Sequence, residues 1–286
     1  MNKEEFDGFS RRACAWPRRV SQGPARLIAE EELKSWILFE DERLLVIGKP
    51  GDVVCHPSKA GPWSSLVGAA REYTRLETVH LVFRLDRETS GVVVIAKDAK
   101  MASRLQVAMQ ERKIGKTYRA IVWGELNEAV TVDRALGDDV NSPVFVKSAV
   151  VEQGGQRAVT HFTPEAVAKN GGGSESGAFT LVRVVTETGR KHQIRAHAQW
   201  LGYPIIGDKI YGPDDRLYLE FIDGGWTPAM AERLLLPRQA LHCAEIDLRA
   251  AGVERVFVAP LAGDMRGFWK EKSGEDLNHR DTAAQR

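Results

Sequence analysis

An aspartate set between two arginines, Arg84-Leu85-Asp86-Arg87, is the arrangement in this chain best suited to chemistry; Glu88-Thr89-Ser90-Gly91 and the apolar run Val92-Val93-Val94-Ile95 follow it. Guanidinium groups close to a carboxylate favour its charged form, and Thr89, Ser90 and Gly91 supply the short side chains and backbone freedom of a tight turn. The segment reads as a loop that holds an ionised aspartate, a candidate nucleophile, at the entry to a buried strand. A surface ion pair in a strand-entry turn would use the same residues, and for an isolated Arg-x-Asp-Arg that is the commoner case.

A second cluster runs Glu187-Thr-Gly-Arg190-Lys191-His192-Gln193-Ile194-Arg195-Ala196-His197. With a helix over 191–201, Lys191 and Arg195 lie four apart on one face and His192 three before Arg195, which makes a cationic corner. Such a corner binds an anion, either a phosphate or the carboxylate of Asp86. Zinc is not expected: His192 and His197, five apart on a helix, turn to different faces and have no third ligand. Cys14, Cys55 and Cys243 are too few and too scattered for a disulfide framework or a spaced metal site, and read as reduced thiols.

Elements must bring these clusters together. Residues 1–30 read as an irregular arm punctuated by Pro17, Gly23 and Pro24. Residues 36–47 read as two short strands around a charged turn, 65–73 as a short helix, and 92–96 as a fully apolar strand. Ala102, Leu105, Val107, Ala108 and Met109 recur at helical spacing, so 99–112 reads as an amphipathic helix with Asp98 as its cap and Gly115 as its end. Strand-like composition follows at 117–123, 144–151, 158–162 and 179–185, interrupted by a flexible loop at 169–177. Short helices are expected over 216–222 and 229–235, closing strands over 242–248 and 255–258, and a polar tail over 271–286 that frays after Trp269. Strands outnumber helices without regular βαβ alternation. The expected architecture is therefore α+β, a mixed and largely antiparallel sheet flanked by helices, in one catalytic domain over 31–270.

The chain has 286 residues, 43% hydrophobic and 28% charged, with a net charge of +1, so the whole molecule exerts no strong pull on a polyanion. Basic residues do gather locally, at Arg11, Arg12, Arg18, Arg19 and Arg26 in the arm and at Arg104, Arg112, Lys113, Lys116 and Arg119 further on. Both groups suit phosphates, and a solvated helix face or tail explains them equally well. No apolar run approaches membrane-spanning length and the N-terminus lacks the apolar core of a secretory signal; a cytoplasmic protein with no membrane association is expected.

Three segments, in order and spacing, resemble the motifs of the RluA family of pseudouridine synthases: Arg84 to Gly91, Lys116-Thr117-Tyr118-Arg119-Ala120, and Arg190 to His197. The likeness extends through Gly202-Tyr203-Pro204-Ile205, Gly207-Asp208, Tyr211-Gly212, Arg238 to His242 and Ala259-Pro260-Leu261, and opens with Glu40 to Ile47 and Lys49-Pro50; it covers about residues 36–269. Two departures stand out. Phe83 occupies the position of the family's usual histidine, and the glycine after Lys-Pro comes one place early, as Gly51 before Asp52.

The resemblance implies the pseudouridine synthase catalytic fold and isomerisation of uridine in structured RNA, ribosomal or transfer, without cofactor or metal. It implies Asp86 as nucleophile, Tyr118 against the target base and aiding its deprotonation, Arg195 paired with Asp86, and Arg84 displacing the target nucleotide. Lys116, His192 and Gln193 fall on the substrate side, and Lys97, Lys100 and Arg104 join Lys116 as candidate phosphate contacts. A monomer without an obligatory protein partner is expected. The rival readings are a uridine N-glycosidase using the same aspartate, which needs a second positioned carboxylate, and a non-catalytic RNA-binding module.

Overall fold

The computed structural model describes residues 26–56, 61–169 and 177–277. Arg11, Arg12, Arg18, Arg19, Cys14, nearly all of the expected 169–177 loop, most of the arm and the end of the tail lie outside these residues. Twelve strands are present among them: β1 (Ile37–Glu40), β2 (Leu44–Lys49), β3 (His80–Leu81), β4 (Ser90–Ala96), β5 (Gly115–Trp123), β6 (Val130–Asp133), β7 (Leu136–Asp138), β8 (Ser148–Val150), β9 (Val159–Lys169), β10 (Ala178–Thr186), β11 (Leu241–Asp247) and β12 (Val256–Val258). The helices are α1 (Glu30–Ser35), α2 (Leu66–Thr74), α3 (Ala99–Gln110), α4 (Gln193–Trp200), α5 (Arg216–Gly224), α6 (Pro228–Leu234) and α7 (Gly263–Ser273).

Ten strands form one sheet in the order β1-β2-β4-β11-β5-β10-β9-β6, with β3 on β4 and β12 on β11. Every pairing is antiparallel except β4 with β11, where Ser90 lies against His242 and Gly91 against Cys243. This is the mixed, mainly antiparallel α+β sheet expected. The central strand β4 is buried along its whole length, which is why its sequence is a continuous apolar run without the alternation of a half-exposed strand. Long antiparallel pairs of β5 with β10 and β10 with β9 carry the sheet away from it.

Gly91 makes the tight approach of β4 and β11 possible. Its φ is +115°, and a Cβ there would stand 2.1 Å from the Cys243 carbonyl oxygen. Only glycine satisfies both conditions.

Asp98 caps α3 as anticipated, its carboxylate accepting from the Met101 amide at 2.7 Å. Several boundaries differ from expectation. Helix α3 stops at Gln110, and Gly115 opens β5 rather than ending the helix. Helix α4 begins at Gln193, because His192 sits in the left-handed region at φ 56°. Lys191 thus lies outside the helix and pairs with Asp138 at 3.0 Å instead of sharing a face with Arg195. Most of the strand expected over 144–151 is a loop, with only Ser148–Val150 in a ladder, since Val144 turns inward to pack beside Tyr211. Helix α7 continues past Trp269 to Ser273, anchored by the buried Trp269 and Met265.

Candidate active site

Asp86 lies in the eight-residue connection between the short β3 and β4, just ahead of the N-terminal end of the central strand β4, and Tyr118 rises from β5 two strands away. Its loop is fastened from several directions. The Asp86 carbonyl accepts from the Thr89 amide at 3.1 Å, closing the turn. The Leu85 carbonyl accepts from the Cys55 thiol at 3.4 Å, that of Arg87 from Lys49 Nζ at 3.0 Å, and that of Glu88 from Arg238 at 2.9 Å. Lys209 pairs with the Glu88 carboxylate at 2.7 Å, and Gln239 donates to Thr89 Oγ1 at 2.8 Å. Lys49 is itself buried and also donates to the Pro50 and Val53 carbonyls, both at 2.9 Å. Burial pushes its pKa down to about 8.

The carboxylate of Asp86 meets Arg195 from the first turn of α4. One guanidinium nitrogen donates to Asp86 Oδ2 at 2.8 Å, while Nε and the other terminal nitrogen grip both oxygens of Asp208 at 2.7 and 2.9 Å. Asp208 is fully buried, and its Oδ1 also accepts from the amides of Ile210 and Tyr211, each at 3.0 Å. The Tyr211 ring lies 4.9 Å from the guanidinium carbon, closing a cation–π contact. Three directed contacts, two to Asp208 and one to the Tyr211 ring, therefore fix Arg195, and it presents its remaining edge to Asp86. Among the described residues Asp86 Oδ1 has no hydrogen-bond partner, and the side chain is 36% exposed.

Burial alone would raise the Asp86 carboxyl, but the Arg195 guanidinium outweighs it and holds the pKa below the ordinary carboxylate value. The same opposition operates at Asp208, where Arg195 and the two amides win. His192 lies 3.9 Å from Asp86 Oδ2 through Nε2, and its Nδ1 is 3.1 Å from the Tyr211 hydroxyl. Burial, followed by the neighbouring Arg195 charge, lowers His192 to about 4, so its ring is neutral at neutral pH. Tyr118 is buried and its hydroxyl is raised well above the ordinary tyrosine value, which keeps it a neutral phenol.

All seven residues singled out from sequence, Asp86, Tyr118, Arg195, Arg84, Lys116, His192 and Gln193, line one cavity, joined by Thr186, Thr188, Gly189 and Arg190. Gln193 does so as part of the wall. Its carboxamide accepts from Thr188 and from the Arg190 amide and donates to the Val159 carbonyl and Thr160. Of the four cations considered for phosphates, Lys97 pairs with Glu40 and Arg104 binds the Ala251 and Gly252 carbonyls, whereas Lys116 alone reaches the cavity. Its ammonium stands 5.9 Å over the ring of Phe83, so the aromatic residue at the departure from the family pattern gives a cation a face to rest on. Asp208, Tyr211, Lys49, Lys209 and Arg238 received no role from sequence. Each falls within or beside a segment carrying the family likeness, but Lys49, Lys209 and Arg238 act on partners far along the chain.

Residues 43–200 match the model of the RNA pseudouridylate synthase family. The chain is 32% identical over 271 residues to the ribosomal large subunit pseudouridine synthase D of Pseudomonas aeruginosa, covering 87% of this chain and 78% of that one. It is 33% identical over 239 residues to the uncharacterized RNA pseudouridine synthase YhcT of Bacillus subtilis, covering 81% and 70%. Among solved structures, human RNA pseudouridylate synthase domain containing 4 superposes with a TM-score of 0.63 at 26% identity, over 82% of this chain and 92% of that one. No helix among the described residues is long and apolar enough to cross a membrane.

Proposed function

The chain belongs to the RNA pseudouridylate synthase family, isomerases that act on RNA, and from that premise we propose that it converts uridine to pseudouridine in large-subunit ribosomal RNA with Asp86 as the reacting group. The observation that carries the assignment is the asymmetry of the Asp86 carboxylate: Oδ2 is bound to an immobilised Arg195 while Oδ1 is left for a ligand. The ribosomal target rests on the printed names of relatives such as that of Pseudomonas aeruginosa.

The reaction breaks the bond from ribose C1′ to uracil N1, turns the base and rejoins it through C5; the C5 proton leaves to solvent and N1 takes one up. Atoms balance without an external reactant. A carboxylate here serves either by adding to C1′ or by taking a proton from the sugar, and both need Oδ1 ionised in a site that limits water. Arg195 keeps it so. Tyr118, protonated at neutral pH, acts through its ring face and its hydroxyl dipole rather than as a phenolate. Arg84, exposed at the loop, fills the space left by the extruded nucleotide, and His192 forms the neutral wall beside Asp86.

The cations support an RNA ligand. Lys116, Arg84 and Arg190 line the cavity, and none of the three has a carboxylate partner among the described residues. The N-glycosidase reading is weakened because the two carboxylates nearest Asp86 in the described residues are engaged: Arg195 and two amides occupy Asp208, and Lys209 and the Gln239 amide hold Glu88. We place the activity in a single unit over residues 31–270, acting in the cytoplasm as a monomer without an obligatory protein partner, cofactor or metal.

The test uses a large-subunit rRNA transcript labelled with tritium at uridine C5. The unaltered protein releases tritium and no free uracil. Asp86→Asn lowers the rate by more than about 1,000-fold while the melting temperature and RNA affinity stay near those of the unaltered protein. Near-normal turnover in that variant would remove Asp86 from the mechanism, and free uracil would establish hydrolysis instead.

A further inference from the structure

The loop over residues 139–147, which joins β7 to β8, displays two large apolar side chains to solvent, Val140 at 90% and Phe145 at 82% exposure. Its backbone is well fastened. The Asp139 amide donates to the Lys147 carbonyl at 3.1 Å, and the Lys147 amide to the Val144 carbonyl at 2.9 Å. Ser142 Oγ and Lys147 Nζ both donate to one oxygen of Asp215, at 2.6 and 3.0 Å. Val144, only 1% exposed, is inserted into a small core with Ile210 and Tyr211, and the Ser148 amide donates to the Tyr211 hydroxyl at 2.8 Å.

Position supplies the second half of the argument. Val146 lines a cavity together with Asp86, His192, Arg195 and Tyr218, so the residue next to Phe145 shares a cavity wall with the candidate reacting residue. Lys147 is neutralised by Asp139 and Asp215, at 3.5 and 3.0 Å, which leaves the loop with little attraction for phosphate. The unpaired cations Arg84, Lys116 and Arg190 belong to the neighbouring cavity. A phosphate backbone is therefore favoured at the cations, and an uncharged surface at the loop.

We propose that Phe145 and Val140 form a base-contacting wedge that stacks on RNA bases flanking the extruded uridine. Extrusion leaves a neighbouring base with an uncovered face, and an aromatic ring on a fixed loop beside the site can cover it without ordering cost. The wedge acts as a positioning device and a source of target choice, since flanking bases differ in stacking strength. It rests on the reading of this protein as an rRNA uridine isomerase.

The experiment compares Phe145→Ala, Val140→Ser and Phe145→Trp on the tritiated large-subunit rRNA transcript, with melting temperature and the salt dependence of binding measured alongside. Phe145→Ala should lower kcat/KM by about 5- to 150-fold, the range for loss of one base–aromatic stack. The melting temperature and the slope of log affinity against log salt should stay unchanged, and Phe145→Trp should retain activity. Arg190→Ala is the contrasting control, reducing the salt slope by about 1 as a phosphate contact does. Turnover by Phe145→Ala and Val140→Ser equal to that of the unaltered protein would overturn the wedge while leaving the isomerase reading intact. So would a loss accompanied by a lower melting temperature or an altered salt slope, or a change confined to self-association. Failure of the unaltered protein to release tritium defeats the isomerase reading itself, and the wedge with it.

Discussion

Arg195 sits between two carboxylates of different character. Asp208 is fully buried and saturated by four hydrogen bonds, whereas Asp86 is partly exposed and keeps one oxygen free. The buried partner fixes the arginine, and the arginine in turn orients the Asp86 carboxylate, the candidate reacting group. Asp208→Asn removes the charge that compensates a buried guanidinium, and a loss of about 3–5 kcal/mol in unfolding free energy is expected, read by urea denaturation. Acid sensitivity should follow. Both carboxyls have folded pKa values below the ordinary 3.8, so their stabilisation is complete above that value and is lost as pH falls through the lowered ones. The unaltered protein should lose stability steeply on acidification below about pH 4, and Asp208→Asn should be less stable at neutral pH with a shallower acid dependence. An identical acid profile in the variant would show that the Asp208–Arg195 pair does not govern it.

At the scale of elements, the β4–β11 contact sets the geometry of the Asp86 loop, and Gly91 is where it is most exacting. Gly91→Ala places a Cβ against the Cys243 carbonyl and forces a conformation costing about 1–3 kcal/mol before the clash is added. A large loss of stability is expected by denaturant titration, together with loss of turnover. Gly267→Ala, in α7 with open space around it, should be neutral or stabilise by up to about 1 kcal/mol. Equal stability for the two variants would show that the approach at Gly91 relaxes freely. Some of this architecture was legible in the sequence because its causes are local. The run over Val92–Ile95 announces a strand buried on both faces, and the spacing in α3 with Asp98 ahead of it announces a capped amphipathic helix. The residues that line the candidate site were singled out in the sequence through three ordered motifs. What escaped is held by distance: Lys49, Lys209 and Arg238 reach the Asp86 loop across 38, 121 and 150 residues, and no local pattern encodes such partners. The strand expected over 144–151 failed for a related reason. Its β-branched and aromatic composition is real, but Val144 is spent on Tyr211 and Phe145 on solvent.

For the whole molecule, a net charge of +1 conceals a sorted distribution. Lys97, Lys147, Lys209, Arg104 and Arg238 are used up inside the fold, and Arg84, Lys116 and Arg190 remain at the candidate site. Such a protein gains little from non-specific attraction and should act at few positions. Pseudouridine maps of cellular RNA with and without the gene should differ at one or a few sites in large-subunit rRNA, restored by the unaltered gene and not by one carrying Asp86→Asn. An unchanged map would count heavily against the assignment. The fastening of the Asp86 loop also bears on biosynthesis. Lys49 is translated before the loop, but Arg195, Asp208, Lys209, Arg238 and the β11 strand all arrive after it. During synthesis the candidate nucleophile precedes a strand whose edge toward β11 is still unpaired, with its counter-cation still unmade. A nascent or truncated chain that stops short of β11 is therefore a client for chaperones rather than a weak enzyme, and RNA modification begins only once nearly the whole domain has been translated.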